Sequence, residues 1–196
     1  MPHFLSQQFT HLKTDFWHTL YNWQNQRWLW LTGAIVAVCL DLIAIFFFQN
    51  YLRLDPCEKC VYIRLSVLVI AFAMFLAFLN PKSSILKTIA YLLIAWAIIQ
   101  GILWSLELNA ITKAVENMEV SSCKFTTPEF PFGLPLDAWF PSIFMATGIC
   151  GEDTWRLFGF NMAQYMLVVY AVYLILLLSF GTSIVVNKLR APRQSL

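Results

Sequence analysis

The residues with the clearest chemical potential are two cysteines, Cys57 and Cys60, which frame the short sequence CEKC. This spacing occurs in redox-active dithiols, in zinc sites and in structural disulfides, so the motif alone does not select among them. A long apolar run begins directly after Cys60, which predicts that the pair stands at the start of a helix. Unpaired N–H groups and the helix dipole stabilise a thiolate at that position, so the placement favours thiol–disulfide exchange.

A guanidinium follows this motif, because Arg64 lies four residues after Cys60. Residues at that spacing share one helix face, so Arg64 is predicted to stabilise a thiolate or a charged, reduced electron acceptor. The alternative is that Arg64 only extends to the membrane–water interface. Asp41 lies midway along another apolar run, where a carboxylate is costly. It is expected to pair with Arg64, to make a protonated polar contact, or to serve packing alone.

The remaining cysteines are a second candidate pair, Cys123 and Cys150, with 26 residues between them, and a leftover, Cys39. An isolated pair of this kind is usually a structural disulfide, which would stabilise the loop by roughly 3 kcal/mol. A zinc site built from all four loop cysteines is a further alternative, but the second pair lacks the short spacing of such sites. No metal is therefore predicted. Cys39 lies inside an apolar run and is expected to stay unpaired.

Composition assigns the chain to the membrane. Hydrophobic residues make up 59% of the 196 residues and charged residues 12%, against about a quarter charged in soluble domains. So few charges cannot form a water-facing surface. The formal net charge of +2 is too small to indicate a nucleic-acid partner.

Crossing a hydrocarbon core of about 30 Å takes roughly 20 apolar residues, and four stretches are long enough: residues 30–48, 61–80, 85–106 and 162–186. The predicted fold is an all-α membrane protein, a four-transmembrane-helix bundle over residues 30–186. Loops 49–60 and 107–161 lie on one side of it, and the long second loop is expected to carry short helical segments. Residues 1–29 are a predicted amphipathic N-terminal segment and residues 187–196 a tail.

The distribution of charge orients the bundle. An even number of spans puts both termini on the side of the 81–84 turn, which is rich in cations, whereas loop 107–161 carries three cations and seven acids. The positive-inside rule then makes both termini cytoplasmic. Both cysteine-bearing loops face the opposite, oxidising compartment, which is the periplasm in bacteria. Two dithiols on one membrane face favour a relay over two separate structural disulfides.

A largely polar stretch precedes the first apolar run, so no cleavable signal peptide is predicted. Apolar residues recur within it at helical spacing: Leu5, Phe9, Leu12, Phe16, Leu20 and Trp23. The pattern predicts an amphipathic helix that lies on membrane lipid at the cytoplasmic surface.

The sequence resembles the DsbB family of bacterial inner-membrane thiol–quinone oxidoreductases over nearly its whole length. The matching stretches are FQNYLRLDPCEKCVYIR at 48–64, NPKSS at 80–84, LPLDAWFPSIFMATGIC at 134–150 and WRLFGFNMAQY at 155–165. The ordered combination of the CEKC motif, the following arginine, two loop cysteines and the sequence PLDAW is highly specific. The extended N-terminal segment resembles the DsbI branch, whose members serve a dedicated DsbA-like partner.

The resemblance implies a quinone-dependent protein thiol–disulfide oxidoreductase of the bacterial inner membrane. Cys57 and Cys60 would be the quinone-coupled pair, with Cys60 and Arg64 contacting ubiquinone or menaquinone. Cys123 would accept attack by a reduced DsbA-like or DsbL-type oxidase of thioredoxin fold, and Cys150 would be its exchange companion. Electrons would pass from that partner through both pairs to the quinone, as in the DsbA–DsbB–quinone system that keeps the bacterial periplasm oxidised.

One departure from the family pattern concerns the residue after Glu107, where a histidine near the quinone is expected and Leu108 stands instead. Asp41 likewise takes the place of an expected glutamate. Two other functions fit the motifs without the resemblance. One is a structural four-span protein whose disulfides only brace its loops and resist mild reductant. The other is an enzyme similar in architecture to vitamin K epoxide reductase, which turns over an epoxide substrate.

Overall fold

Four long apolar helices dominate the computed structural model, which describes residues 16–118, 130, 133–151 and 155–190. The helices are α1 (Arg27–Ile43, continued by a π-helical segment, Ala44–Tyr51), α2 (Glu58–Leu79), α3 (Ser84–Glu116), α4 (Leu136–Trp139), α5 (Pro141–Phe144) and α6 (Met162–Arg190). Even the 22 residues of α2 rise about 33 Å, enough to cross a hydrocarbon core. The predicted all-α, four-span membrane fold is therefore confirmed.

The starts of α2 and α3 follow from local sequence. Helix α2 begins after Pro56, where Cys57 is the N-cap and its sulfur accepts a hydrogen bond from the N–H of Cys60. Helix α3 begins after Ser83, whose hydroxyl accepts a hydrogen bond from the N–H of Leu86. Both caps satisfy N–H groups that helix geometry leaves unpaired.

Helix α2 lies at the centre of the bundle, since it packs against α1 and α3, while α3 also packs against α6. Fully buried alanines let the helix backbones approach closely: Ala37, Ala73, Ala77, Ala90 and Ala97. Tyr170 of α6 reaches α2, where its hydroxyl donates to the carbonyl of Ile63 and contacts the Ser66 hydroxyl. Gly101 of α3 makes room for this tyrosine, because a Cβ at that position would overlap the ring.

Helix α3 continues to Glu116, well past the predicted end of the third span at residue 106. In the added turns, the Leu108 and Ile111 side chains are buried in the core cluster that also contains Cys150. Gly151, with a left-handed φ of 84°, packs against the backbone of Ile111. Contacts with the loop thus stabilise turns that a search for membrane-length apolar runs does not predict.

The long loop adds a small β-hairpin, which the sequence does not predict, to the short helices α4 and α5. Strand β1 (Arg156–Leu157) pairs antiparallel with β2 (Phe160–Asn161). Arg156 forms an ion pair with Glu116, which ties the hairpin to α3. Strands of two residues leave no periodic signal in a sequence, so hydrophobic patterning cannot reveal them.

The segment before α1 is attached to the bundle at the end opposite the CEKC motif. Residues 16–23 are helical, whereas the predicted amphipathic positions Leu5, Phe9 and Leu12 lie outside the described residues. The Gln24 side chain is 1% exposed and hydrogen-bonds to Ser183 of α6 and Tyr91 of α3. This segment therefore packs into the helix bundle in addition to any contact it makes with lipid.

Candidate active site at the start of the second span

Cys57 and Cys60 meet in the first turn of α2. Cys57 has extended backbone angles (φ −79°, ψ 168°), and its sulfur accepts the Cys60 N–H at 3.3 Å, so the helix start stabilises negative charge on that sulfur. The two sulfurs lie 2.6 Å apart, close enough for the pair to interconvert between dithiol and disulfide. Cys57 is only 2% exposed, and Cys60 is half-buried. The sequence-predicted helix start is present.

A cavity of about 270 Å³ opens beside Cys60, between α1, α2 and α6. This Cys60 cavity is also lined by Asp41 and Arg64, by apolar side chains of the three helices, and by Trp155 and Leu157 at the hairpin. Cys57 is not among the described residues that line it. The motif therefore places one cysteine at the cavity and buries the other away from it.

Arg64 is buried in the bundle, at 6% exposure, rather than extended to an interface. Its guanidinium donates to the side-chain oxygen of Gln49 at 2.9 Å and, at 3.4 Å, to the carbonyls of Ala44 and Ile143. Ala44 opens the π-helical end of α1, a distortion that is frequent at functional sites. Gln49 in turn donates to the carbonyl of Ser142 at 3.3 Å. One cation thus joins α2, the end of α1 and the cysteine-bearing loop.

Asp41 enters the Cys60 cavity from α1. The side chain is 5% exposed, and its Oδ2 has no hydrogen-bond partner among the residues that the structure describes. Arg64 is near enough to act on it electrostatically, but no ion pair within 4.0 Å joins these two described residues. Direct pairing with Arg64, one of the three predicted alternatives for Asp41, is therefore not observed, and one buried carboxylate oxygen has no partner among the described residues.

The second cysteine pair is described only in part. Cys150 is disulfide-bonded and 1% exposed, while its predicted partner, Cys123, lies outside the described residues. A disulfide sulfur is not a thiolate ligand, so this state is incompatible with the four-cysteine zinc alternative. Cys39, the predicted leftover, is free and exposed on the outside of α1.

The two cysteine-bearing loops meet through their backbones. The carbonyl of Pro56 accepts hydrogen bonds from the N–H groups of both Thr147 and Gly148, each at 3.1 Å. Cys57 follows Pro56 directly, Cys150 follows Gly148 by two residues, and both cysteines belong to one buried cluster. The structure thus brings the described cysteine of the long loop to the same end of the bundle as the CEKC motif.

Sequence reasoning missed several residues of the site. Residue type and spacing do not reveal Gln49, Trp155 and Tyr165 as site residues, although all three lie in stretches that carry the family resemblance. Their common signal is a polar or aromatic residue at the border of an apolar run. Leu108, in the position of the expected histidine, lines the cavity. Because leucine is apolar, its side chain provides no hydrogen bond there.

Comparison with known proteins agrees with this geometry. Residues 26–180 match the family described as disulfide bond formation protein DsbB. The chain belongs to the DsbB family. It is 45% identical over 168 residues to a relative from Shewanella oneidensis that bears the DsbI name, covering 79% of both chains. It is also 46% and 44% identical, each over 141 residues, to the protein-disulfide oxidoreductases DsbI of Lelliottia amnigena and Salmonella typhimurium.

The last two matches cover 69% of this chain and 63% and 62% of the relatives, which are therefore longer than the matched region. Membership of the DsbB family makes the protein a membrane protein-disulfide oxidoreductase, and coupling to quinone and to a thiol oxidase is typical of that family. The predicted resemblance, including the DsbI branch, is confirmed.

Proposed function

We propose that this DsbB-family protein reoxidises a reduced DsbA-like or DsbL-type protein of thioredoxin fold and delivers the electrons to ubiquinone or menaquinone. Cys123 and Cys150 accept the electrons from the partner, and Cys57 and Cys60 pass them on. The observation that carries this proposal is the division of the CEKC motif. Cys60 lines a cavity together with Arg64, while Cys57 is absent from the described lining and belongs to the same buried cluster as Cys150.

The residues around the Cys60 cavity fit a quinone. Arg64 offers a buried positive charge to an oxygen of a head group, and Asp41, whose protonated form can donate an O–H, lines the same cavity. A second cavity of about 470 Å³, almost wholly apolar, meets the first at Leu40 and Val169, which suits an isoprenoid tail. A quinone, when bound, supplies an acceptor for two electrons and two protons.

Each cysteine then has a definite task. The partner's thiolate attacks Cys123 and releases Cys150 as a thiolate, which attacks Cys57. The Cys57–Cys150 bond forms, the Cys57–Cys60 bond breaks, and the electron pair stays on Cys60 at the cavity wall. Arg64 stabilises that negative charge, because it lies one helical turn from Cys60 on the same helix face, lines the same cavity and is shielded from water.

The proposal includes an orientation. Both termini lie in the cytoplasm of a bacterial cell, loops 49–60 and 107–161 lie in the periplasm, and the spans cross the inner membrane within domain 30–186. The cation-rich turn side and the acidic long loop support it. Labelling of engineered cysteines in intact cells tests it: reagents that do not cross the inner membrane should react in the loops and not in tail 187–196.

The test of function is quinone reduction by the purified protein in detergent, with candidate reduced DsbA-like proteins supplied in turn. We expect Cys60→Ala to abolish turnover, because no cysteine then remains among the described residues that line the cavity. Cys39→Ala is the matched control, since Cys39 is free and exposed on the outside of α1, and it should retain full activity. Undiminished turnover by Cys60→Ala would refute the assignment and favour a purely structural role for the motif.

A further inference from the structure

We propose that Gly148 is a positioning residue for disulfide exchange between the two cysteine pairs. Its lack of a side chain lets the segment that carries Cys150 close onto the backbone that precedes Cys57. We call this contact the clasp and define it as Asp55 and Pro56 against Thr147 and Gly148. The inference rests on the proposed function, because it concerns the step that transfers electrons from one pair to the other.

Close approach is the reason for glycine at this position. A Cβ added to Gly148 would overlap the carbonyl oxygen of Asp55 and would lie 2.8 Å from its carbonyl carbon. These are backbone atoms, so no side-chain rotation relieves the overlap. The described glycines with a left-handed φ are Gly133, Gly151 and Gly159, so backbone conformation does not impose glycine at 148.

Backbone hydrogen bonds also stabilise the clasp. The Pro56 carbonyl accepts the N–H groups of both Thr147 and Gly148, each at 3.1 Å. If Gly148 moves away from Asp55 far enough to make room for a methyl group, we expect both hydrogen bonds to become longer. A single added carbon therefore opposes both the packing and the hydrogen bonding of the clasp.

Two residues of the clasp, one from each segment, lie the same number of positions before the cysteine that follows. Cys57 follows Asp55 by two residues, and Cys150 follows Gly148 by two residues. Both cysteines are buried, at 2% and 1% exposure, within one cluster. The contact therefore fixes the two backbones immediately before the atoms that must meet, and it excludes water and external thiols from them.

The step that the clasp serves is a thiol–disulfide exchange. The Cys150 thiol loses its proton to water, and the thiolate attacks the Cys57 sulfur. The Cys57–Cys150 bond forms, the Cys57–Cys60 bond breaks, and Cys60 keeps the electron pair as a thiolate. Such a displacement needs the attacking sulfur within contact distance and in line, so a misplacement of about 1 Å can slow it on the order of 10²-fold.

The experiment isolates this step in Cys123→Ser protein that carries the Cys57–Cys60 disulfide, purified in detergent without quinone or partner. Exchange is started by a shift from acidic to neutral buffer and stopped by acid and alkylation. The Cys57–Cys150 linkage is then quantified by peptide mass spectrometry. We expect Gly148→Ala to slow its formation on the order of 10²-fold. The matched control, Ile149→Ala, changes an exposed residue of the same loop and should keep the parent rate.

An unchanged rate in Gly148→Ala would overturn the inference, as would an equal loss in Ile149→Ala. A second measurement covers the case in which Gly148→Ala does not fold. In the unaltered chain, the amide protons of Thr147 and Gly148 should exchange with solvent more slowly than in an unstructured peptide. Exchange at the peptide rate would also refute the clasp. Because these assays contain no quinone, their outcome is independent of whether the protein reduces quinone.

Discussion

The two cysteine-bearing regions are fixed to the bundle in different ways. Cys57 and Cys60 belong to the first turn of a transmembrane helix, where an N-cap and a buried guanidinium hold their surroundings. Cys150 stands on a loop that is held by the Pro56 hydrogen bonds, by the bond from Arg64 to the Ile143 carbonyl and by burial of the Phe144 side chain. Electron delivery into the cavity and exchange between Cys150 and Cys57 both need a fixed geometry, which the helix supplies from local structure and the loop from contacts with residues distant in sequence.

The largest expected effect is a loss of partner-driven turnover that leaves the oxidation of Cys57 and Cys60 by quinone intact. Cys150→Ala should reduce partner-driven quinone reduction more than about 10³-fold, because the exchange companion is lost. The same variant, once chemically reduced, should still form the Cys57–Cys60 disulfide when quinone is added. Two assays on this variant measure these effects. One follows turnover with a reduced DsbA-like protein, and the other follows a single oxidation of the chemically reduced variant by quinone. Persistent turnover would mean that the partner reaches the CEKC motif directly.

An intermediate effect is expected inside the helix-borne region. Arg64→Met should weaken quinone binding by roughly 10- to 100-fold, the equivalent of the 1.5–3 kcal/mol typical of hydrogen bonds to a charged group. Calorimetric titration with a short-chain quinone measures it. Arg53→Met is the control, since Arg53 is an exposed arginine of the neighbouring loop. If both substitutions weaken binding equally, general positive charge and not the buried guanidinium attracts the ligand.

The smallest effect concerns the departure from the family pattern. Leu108→His places a hydrogen-bond donor on the wall of the Cys60 cavity and should tighten quinone binding by up to about tenfold, as one neutral hydrogen bond contributes. Leu108→Met, of similar size but without a strong donor, should leave the affinity unchanged. Equal behaviour of the two variants in the same titration would show that this wall does not contact the head group.

Local signals explain what the sequence could predict. Long, predominantly apolar runs encode the spans, and Pro56 and the cap at Cys57 encode the start of α2. Neither signal depends on distant contacts. The pairing of Cys60 with Arg64 on one helix face follows from the helical repeat alone. The candidate site was predictable to the extent that it lies on one regular element.

The remaining features depend on tertiary contacts. Helix α3 extends to Glu116 because Leu108 and Ile111 find burial against the loop, not because the segment spans lipid. The π-helical end of α1 and its Gln49 side chain belong to the site because they accept hydrogen bonds from Arg64 of α2, a contact between different helices. The contact of Gly148 with a backbone more than 90 residues earlier has no local signature.

The most direct test of the central claim is a stoichiometry. Fully reduced protein, free of quinone and partner, is mixed with ubiquinone, and quinol formation and cysteine oxidation are followed together by absorbance and by mass spectrometry of alkylated peptides. The account predicts that the first quinol appears in step with one Cys57–Cys60 disulfide per chain. Quinol formation while Cys57 and Cys60 remain reduced would contradict it.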